Sequence, residues 1–216
     1  MNILFDLDGT LTDSRPGIIA CIQHALDRAG VPSPAEAELQ KLIGPPLRDS
    51  FAALLASERD APCVSAAIEA YRERFTAIGM FENAVYEGIP VALDELSRSG
   101  ARLYVATSKP RVYAQRILDH FGLSGRFAAI FGSEIDGRLE DKSELIAHVL
   151  ERTGIDAAAT VMIGDREHDM LGATRNGVFP AGVLWVYGTD EELRGAGAKR
   201  LLSAPGEISR ISFRDF

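Results

Sequence analysis

The chain is poor in cysteine, in long apolar runs and in positive charge, and each shortage excludes something. Its two cysteines, Cys21 and Cys63, stand among 216 residues at a spacing that matches no metal-binding or redox motif. Cys21 falls on the apolar face of a predicted helix and reads as a buried thiol, which fits a reducing compartment. No apolar run reaches the roughly 20 residues that cross a bilayer. The N-terminus reads as a strand, without a charged leader or cleavage site, so a cytoplasmic location and no membrane partner are expected. Lys and Arg number 23 against 31 Asp and Glu, a net charge of −8. That balance disfavours a nucleic-acid polymer as partner. A small anionic partner remains compatible if local positive charge draws it in. Internal repeats and low-complexity tracts are also missing. At 46% hydrophobic and 25% charged residues, the chain suits a globular protein of one large domain or one and a half, with a core that needs no staples.

What the chain does have is Asp6-Leu-Asp8-Gly9-Thr10, directly after the apolar run Asn2-Ile3-Leu4-Phe5. Residues i and i+2 of a strand point the same way, so both carboxylates face one site. Like charges that close repel. Either one keeps its proton or a cation sits between them. A bound metal and a shared proton are both catalytic arrangements, and neither is an ordinary way to build a core.

The pattern along the chain separates two regions. Residues 2–6 read as a buried strand, and a helix starting near Pro16 ends at Gly30. Residues 34–43, 46–57 and 63–79 also read as helices, broken by Pro and Gly. Strands at 102–107, 127–131, 160–163 and 180–186 then alternate with helices at 88–99, 110–121, 141–153 and 168–176. From about Leu201 a last strand and helix are expected to pack on the sheet. The prediction is an α/β fold: a Rossmann-like parallel sheet core formed by 1–14 and 82–216, with an α-helical cap inserted at 15–81. Such sheets bind ligands at the carboxyl ends of their strands. Asp6 with Asp8, Thr107 with Ser108, and Asp165 with Asp169 each lie just past an apolar strand. They should converge on one sheet edge, from which the helical block would emerge as a lid.

Asp6-Leu-Asp8-Gly-Thr-Leu-Thr-Asp-Ser14, Val105-Ala-Thr107-Ser-Lys109, Lys142 and Gly164-Asp165-Arg-Glu-His-Asp169 together resemble the haloacid dehalogenase-like hydrolase superfamily. The match in order and spacing covers nearly the whole chain, and the helical insert stands where that family's commonest cap stands. The resemblance implies phosphoryl transfer through an aspartyl-phosphate. Asp6 is then the nucleophile and Asp8 the general acid and base. Thr107, with Ser108 as its alternative, donates to the transferring phosphoryl oxygens. Lys142 holds the charge of Asp6 and of the phosphoryl group. Lys109 competes for that role, and Glu140 and Asp141 offer Lys142 surface partners instead. The implied cofactor is Mg²⁺, a hard cation suited to oxygen ligands. It is held by the Asp6 carboxylate, the Asp8 backbone carbonyl and Asp165, with Asp169 binding directly or through water. His168 has no second His or Cys nearby and reads as an exposed or capping residue.

Gly44-Pro45-Pro46 forces a rigid turn inside the helical block, and in related hydrolases the corresponding loop faces the catalytic centre. Arg48 is therefore a candidate substrate contact, with a plain surface arginine as the alternative. Phe51, Tyr71, Phe75 and Phe81 read as cap core, with contact to a base or ribose as the other reading. Ile43–Leu47, Tyr86–Gly88, Ala106–Pro110, Met162–Arg166 and Gly182–Gly188 resemble the bacterial 5′-nucleotidase-like group, which adjoins the phosphoglycolate phosphatases. The expected activity is hydrolysis of a small phosphorylated metabolite, a nucleoside 5′-monophosphate first and phosphoglycolate second. A phosphosugar mutase would use the same residues. A phospho-acceptor signalling module shares the acids but runs to about 120 residues and lacks the helical insert. Oligomeric state is not legible.

Overall fold

The computed structural model describes residues 1–211. It divides into two compact units, one formed by Met1–Thr12 with the chain from Val85 onward, the other by Asp13–Ala84. Among the described residues no helix is long and apolar enough to cross a membrane.

The strands run in chain order as β1 (Asn2–Phe5), β2 (Thr12–Asp13), β3 (Ala84–Val85), β4 (Arg102–Pro110), β5 (Ala129–Ser133), β6 (Thr160–Gly164), β7 (Phe179–Val183) and β8 (Arg200–Leu202). Six of them form a parallel sheet in the order β5-β4-β1-β6-β7-β8, and the two-residue strands β2 and β3 pair with each other. The helices of the first unit are α5 (Ile89–Arg98), α6 (Arg111–His120), α7 (Lys142–Thr153), α8 (Glu167–Arg175) and α9 (Asp190–Gly195). Those of the second are α1 (Arg15–Ala29), α2 (Glu36–Gln40), α3 (Leu47–Leu54) and α4 (Pro62–Ala77).

The central strand β1 shows why the sheet is covered on both faces. All four of its residues are buried. Leu4 packs into a cluster with Tyr104, Leu145, Ile146 and Met162. Its neighbour Phe5 meets Phe127 edge-on, with ring centroids 6.1 Å apart. Successive side chains on a strand point to opposite faces, so an apolar run without alternation is what a strand between two helical layers requires. β1 pairs with β4 on one side and with β6 on the other, Asn2 lying opposite both Arg102 and Thr160. The chain therefore runs from β1 outward to β4 and β5, then returns to β6 across β1. That reversal of direction makes the carboxyl end of β1 a topological switch point.

Some boundaries differ from those expected. The strand predicted at 127–131 begins two residues later, because its ladder opens at Tyr104 opposite Ala129 while the Phe127 ring turns to Phe5. The strand predicted at 180–186 stops at Val183, opposite Leu202, the last residue of β8. The helix predicted at 34–43 shrinks to α2. The final helix is a 3-10 turn over Pro205–Arg210.

In the second unit, α1 carries Pro16 in its first turn and ends on Gly30 in the left-handed conformation. α1 and α4 pack together, burying Ile18, Ile22 and Leu26 with Val64, Ile68 and Tyr71. Phe51, Tyr71 and Phe75 are buried. Tyr71 stacks on Phe75 at 5.5 Å and meets Phe51 edge-on at 6.1 Å. These three rings belong to the core of the second unit.

Candidate active site

The candidate residues of the first unit come together at the carboxyl ends of β4, β1 and β6. Asp6 directly follows β1, and its amide still donates to the Ile163 carbonyl at 2.9 Å. The backbone thus stays in the ladder as the carboxylate passes the end of the strand. The chain then folds into a tight loop in which the Leu7 carbonyl accepts from the amides of Thr10, Leu11 and Thr12. Gly9 permits that loop twice over. Its φ of +83° is left-handed, and a Cβ there would stand 2.4 Å from Asp165 Oδ2 and 2.6 Å from the Tyr187 ring.

Asp165 follows Gly164, the last residue of β6, and Asp169 occupies the first turn of α8. A Cβ on Gly164 would lie 2.2 Å from the Asp169 carboxylate, so only glycine lets Asp169 fold back onto the strand end. Asp169 Oδ2 accepts from the Arg166 amide at 3.2 Å, capping its own helix.

Lys142 opens α7, whose N-cap Asp141 accepts from the Glu144 amide at 3.0 Å. The lysine side chain turns inward and is buried. Its ammonium lies 2.9 Å from Asp6 Oδ1 and 2.8 Å from Asp169 Oδ1, and donates to the Ala106 carbonyl at 3.0 Å. Burial alone would pull its pKa down. The carboxylates of Asp169 and Asp6 outweigh that effect and hold it above the ordinary lysine value.

The acids are less well satisfied. Asp6, Asp165 and Asp169 each offer a carboxylate oxygen within 4.8 Å of the others, and all three are buried. Asp165 Oδ1 accepts from the Thr10 hydroxyl at 3.2 Å, but its Oδ2 is buried and, among the described residues, has no hydrogen-bond partner. Burial, then the charges of Asp6 and Asp169, push the Asp165 carboxyl well above the usual range. Burial also raises Asp169, against the pull of Lys142. With all three ionised, one ammonium would leave two negative charges uncompensated, and the raised pKa of Asp165 and Asp169 reflects that crowding. An orphaned buried oxygen, a set of hard oxygen donors and a deficit of two charges all fit one divalent cation such as Mg²⁺.

The β4 side of the site is shaped by an irregularity. Thr107 pairs with Gly132, but the next paired residue is Pro110, opposite Ser133. Ser108 and Lys109 bulge out between them, and bulges re-aim side chains. The Thr107 hydroxyl accepts from the Lys109 amide at 3.2 Å. The Ser108 hydroxyl donates to the Glu140 carbonyl at 3.1 Å, tying β4 to the loop that delivers Lys142. Lys109 reaches Asp8, with Nζ 2.8 Å from Oδ2. The two competing lysines therefore take separate carboxylates.

Residues 3–183 match the family model described as haloacid dehalogenase-like hydrolase. The chain belongs to that family. It is 49% identical over 193 residues to a 5′-nucleotidase of Pseudomonas aeruginosa, covering 89% of this chain and 86% of the relative. A crystal structure of a predicted phosphatase from Clostridium acetobutylicum superposes with a TM-score of 0.91 at 41% identity, covering 97% of this chain and 96% of that one. The tyrosine-protein kinase PtkA of Mycobacterium tuberculosis is 39% identical over 186 residues, which are 86% of this chain and 62% of the kinase.

Within this hydrolase, Arg48 lies in the second unit. It donates to the Arg59 carbonyl at 3.3 Å and to the Ser65 hydroxyl at 3.4 Å, with Asp60 3.8 Å away. His168 is exposed. A separate open groove of about 610 Å³ lies along α1 and α4, lined among others by Ala25, Ala29, Ala66 and Ala70, and contains none of the candidate residues. Sequence reasoning missed Thr10 as a partner of Asp165, although it closes the Asp-x-Asp-Gly-Thr motif. It also missed Tyr187, which packs beside Gly9 from the segment after β7. The signal for Tyr187 was its place in Gly182–Gly188, one of the stretches that resemble the 5′-nucleotidase-like group.

Proposed function

We propose that this hydrolase is a magnesium-dependent phosphate monoester hydrolase acting through an aspartyl-phosphate, with nucleoside 5′-monophosphates as its substrates. The observation that carries the reading is the buried cluster of Asp6, Lys142, Asp165 and Asp169 beside Asp8, which leaves a deficit of two charges once all three acids are ionised. Such a deficit is costly in a core and useful beside a metal.

The chemistry follows from the positions. Asp6 forms a bond to phosphorus as the ester oxygen departs, and Asp8 gives that oxygen its proton. Asp8 then takes a proton from water as the water attacks the acyl-phosphate, releasing phosphate and restoring Asp6. Lys142, 2.9 Å from Asp6 Oδ1, holds the carboxylate in place and faces its charge. Thr107 accepts the Lys109 amide on its oxygen, which leaves its hydroxyl proton to donate to a phosphoryl oxygen. Mg²⁺ held by Asp6, Asp165, Asp169 and the Asp8 carbonyl would offset charge on the nucleophile and the phosphoryl group. Arg48 is kept as a candidate substrate contact on the sequence resemblance alone.

The nucleotide assignment draws on the name of the Pseudomonas aeruginosa relative and on the stretches that resemble the 5′-nucleotidase-like group. A panel of phosphate esters, including nucleoside monophosphates, phosphoglycolate and a sugar phosphate, tests it. Phosphate should be released with magnesium, fastest from the nucleotides, and a chelator should stop it. Release mainly from phosphoglycolate would move the substrate. Conversion of a sugar 1-phosphate to its 6-phosphate would make it a mutase. No phosphate from any ester would overturn the reading.

A further inference from the structure

We propose that Lys109 is the positioning residue for Asp8, clamping one carboxylate oxygen so that the other alone is presented to the leaving group. The inference rests on the proposed role of Asp8 as acid and base.

Three observations lead to it. First, Lys109 Nζ lies 2.8 Å from Asp8 Oδ2, and both side chains are largely buried. Second, Asp8 Oδ1 is buried and, among the described residues, has no hydrogen-bond partner. A carboxylate with one oxygen engaged and one idle in the interior is unusual, since buried polar atoms are nearly always paired. An idle oxygen at a strand-end site is placed for a group that arrives with substrate. Third, Lys109 is itself held at its backbone. Its amide donates to Thr107 Oγ1 at 3.2 Å, and its carbonyl passes so close to Gly132 that a Cβ there would stand 2.5 Å away. The bulge between Thr107 and Pro110 fixes this course. Residue 109 thus joins the Thr107 hydroxyl and the Asp8 carboxylate through one rigid segment.

The consequence is directional. With Oδ2 occupied by the ammonium, a proton carried by Asp8 resides on Oδ1. In the first step that proton passes from Oδ1 to the departing ester oxygen as the bond from Asp6 to phosphorus forms. In the second step Oδ1 takes a proton from water. Removing Lys109 frees the carboxylate to rotate. The loss should fall on the proton transfer and leave substrate binding largely intact.

Leaving-group dependence isolates that step. A nucleoside 5′-monophosphate expels an alkoxide that needs a proton, whereas dinitrophenyl phosphate expels a stable phenolate that does not. Lys109→Met should lower kcat on the nucleotide by about 100-fold or more, the usual worth of general acid–base catalysis, with KM changed only a few-fold. The single-turnover release of dinitrophenolate should fall far less. Lys109→Arg, which keeps a cation at nearly the same reach, should recover part of the nucleotide activity. Lys109→Gln repeats the comparison if the methionine variant does not fold, judged by circular dichroism. Equal losses with both leaving groups, or a raised KM at unchanged kcat, would overturn the assignment and make Lys109 a general structural or phosphoryl-binding residue. A wild type that cleaves neither ester would instead overturn the proposed function, so the two failures are distinguishable.

Discussion

The two units treat partly buried charge in opposite ways. In the second unit, Arg74 grips Glu82 with its two terminal guanidinium nitrogens, at 2.6 and 3.0 Å. That grip holds the Glu82 carboxyl below its ordinary value. Arg15 and Asp13 likewise form an ion pair from within one short segment. In the catalytic unit, acids from β1, β6 and α8 are driven together, and one lysine serves two of them. Burial and like charge raise Asp165 and Asp169 instead of lowering them. The first pattern stabilises a fold. The second costs stability, a cost that the proposed cation would offset. The difference teaches where to look: charge paired locally is structure, whereas like charge gathered from distant segments is function.

The largest expected effect tests the catalytic side of that contrast. Asp6→Asn removes the proposed nucleophile and should lower kcat by about 10⁴-fold or more. Metal binding should survive in part, because Asp165 and Asp169 remain. A variant that kept wild-type turnover would place the attacking group elsewhere. Next comes the cation itself. Magnesium at about 100 times its dissociation constant should stabilise the wild type by about 2.7 kcal/mol, read as a rise in Tm. Asp165→Asn removes the oxygen that has no partner and one of the crowded charges. The variant should be more stable than wild type without metal, and magnesium should no longer raise its Tm. An undiminished magnesium shift in Asp165→Asn would mean that the buried acids do not hold the ion.

What could be read beforehand follows from the same division. The strand ends were legible because each acid directly follows an unbroken apolar run, as Asp6 follows Phe5 and Asp165 follows Ile163 and Gly164. The sheet was legible for the same reason, since fully buried strands leave a plain signal. Lys109 was not, because its aim depends on a bulge between Thr107 and Pro110 that no periodicity announces. β2 and β3 escaped notice because two residues carry no period. In the cap, α2 came out shorter than its apolar pattern suggested. Leu42 and Ile43 continue in tighter turns, their amides bonded three residues back to Leu39 and Gln40. Such turns use the same side-chain spacing as a helix over short stretches.

Arg48 tests whether any cap charge belongs to the second class. Among the described residues its guanidinium reaches a backbone carbonyl and a hydroxyl at 3.3 and 3.4 Å, with Asp60 at 3.8 Å, so it is less firmly committed than Arg74. If it contacts the substrate, Arg48→Ala should raise KM about tenfold, a loss of about 1.4 kcal/mol, with kcat nearly unchanged. An unchanged KM would return Arg48 to the structural class.

The smallest effect belongs to the Arg74–Glu82 pair and carries a definite sign with pH. Arg74→Met should destabilise the protein by about 1 kcal/mol at neutral pH, modest because Glu82 is partly exposed. Glu82 is held below its ordinary value of 4.5 in the folded protein. Folding therefore favours the ionised form. The pair's contribution is complete above the ordinary carboxylate value and is lost as pH falls through the lowered folded one. Urea unfolding of wild type and Arg74→Met across a pH series should show two stability curves that converge in acid. Arg74 also touches the buried thiol of Cys21, with Nη1 3.4 Å from Sγ. A difference between the curves that stays constant with pH would assign the loss to that packing instead of to the ion pair, and would remove the cap's clearest example of charge used to hold a fold.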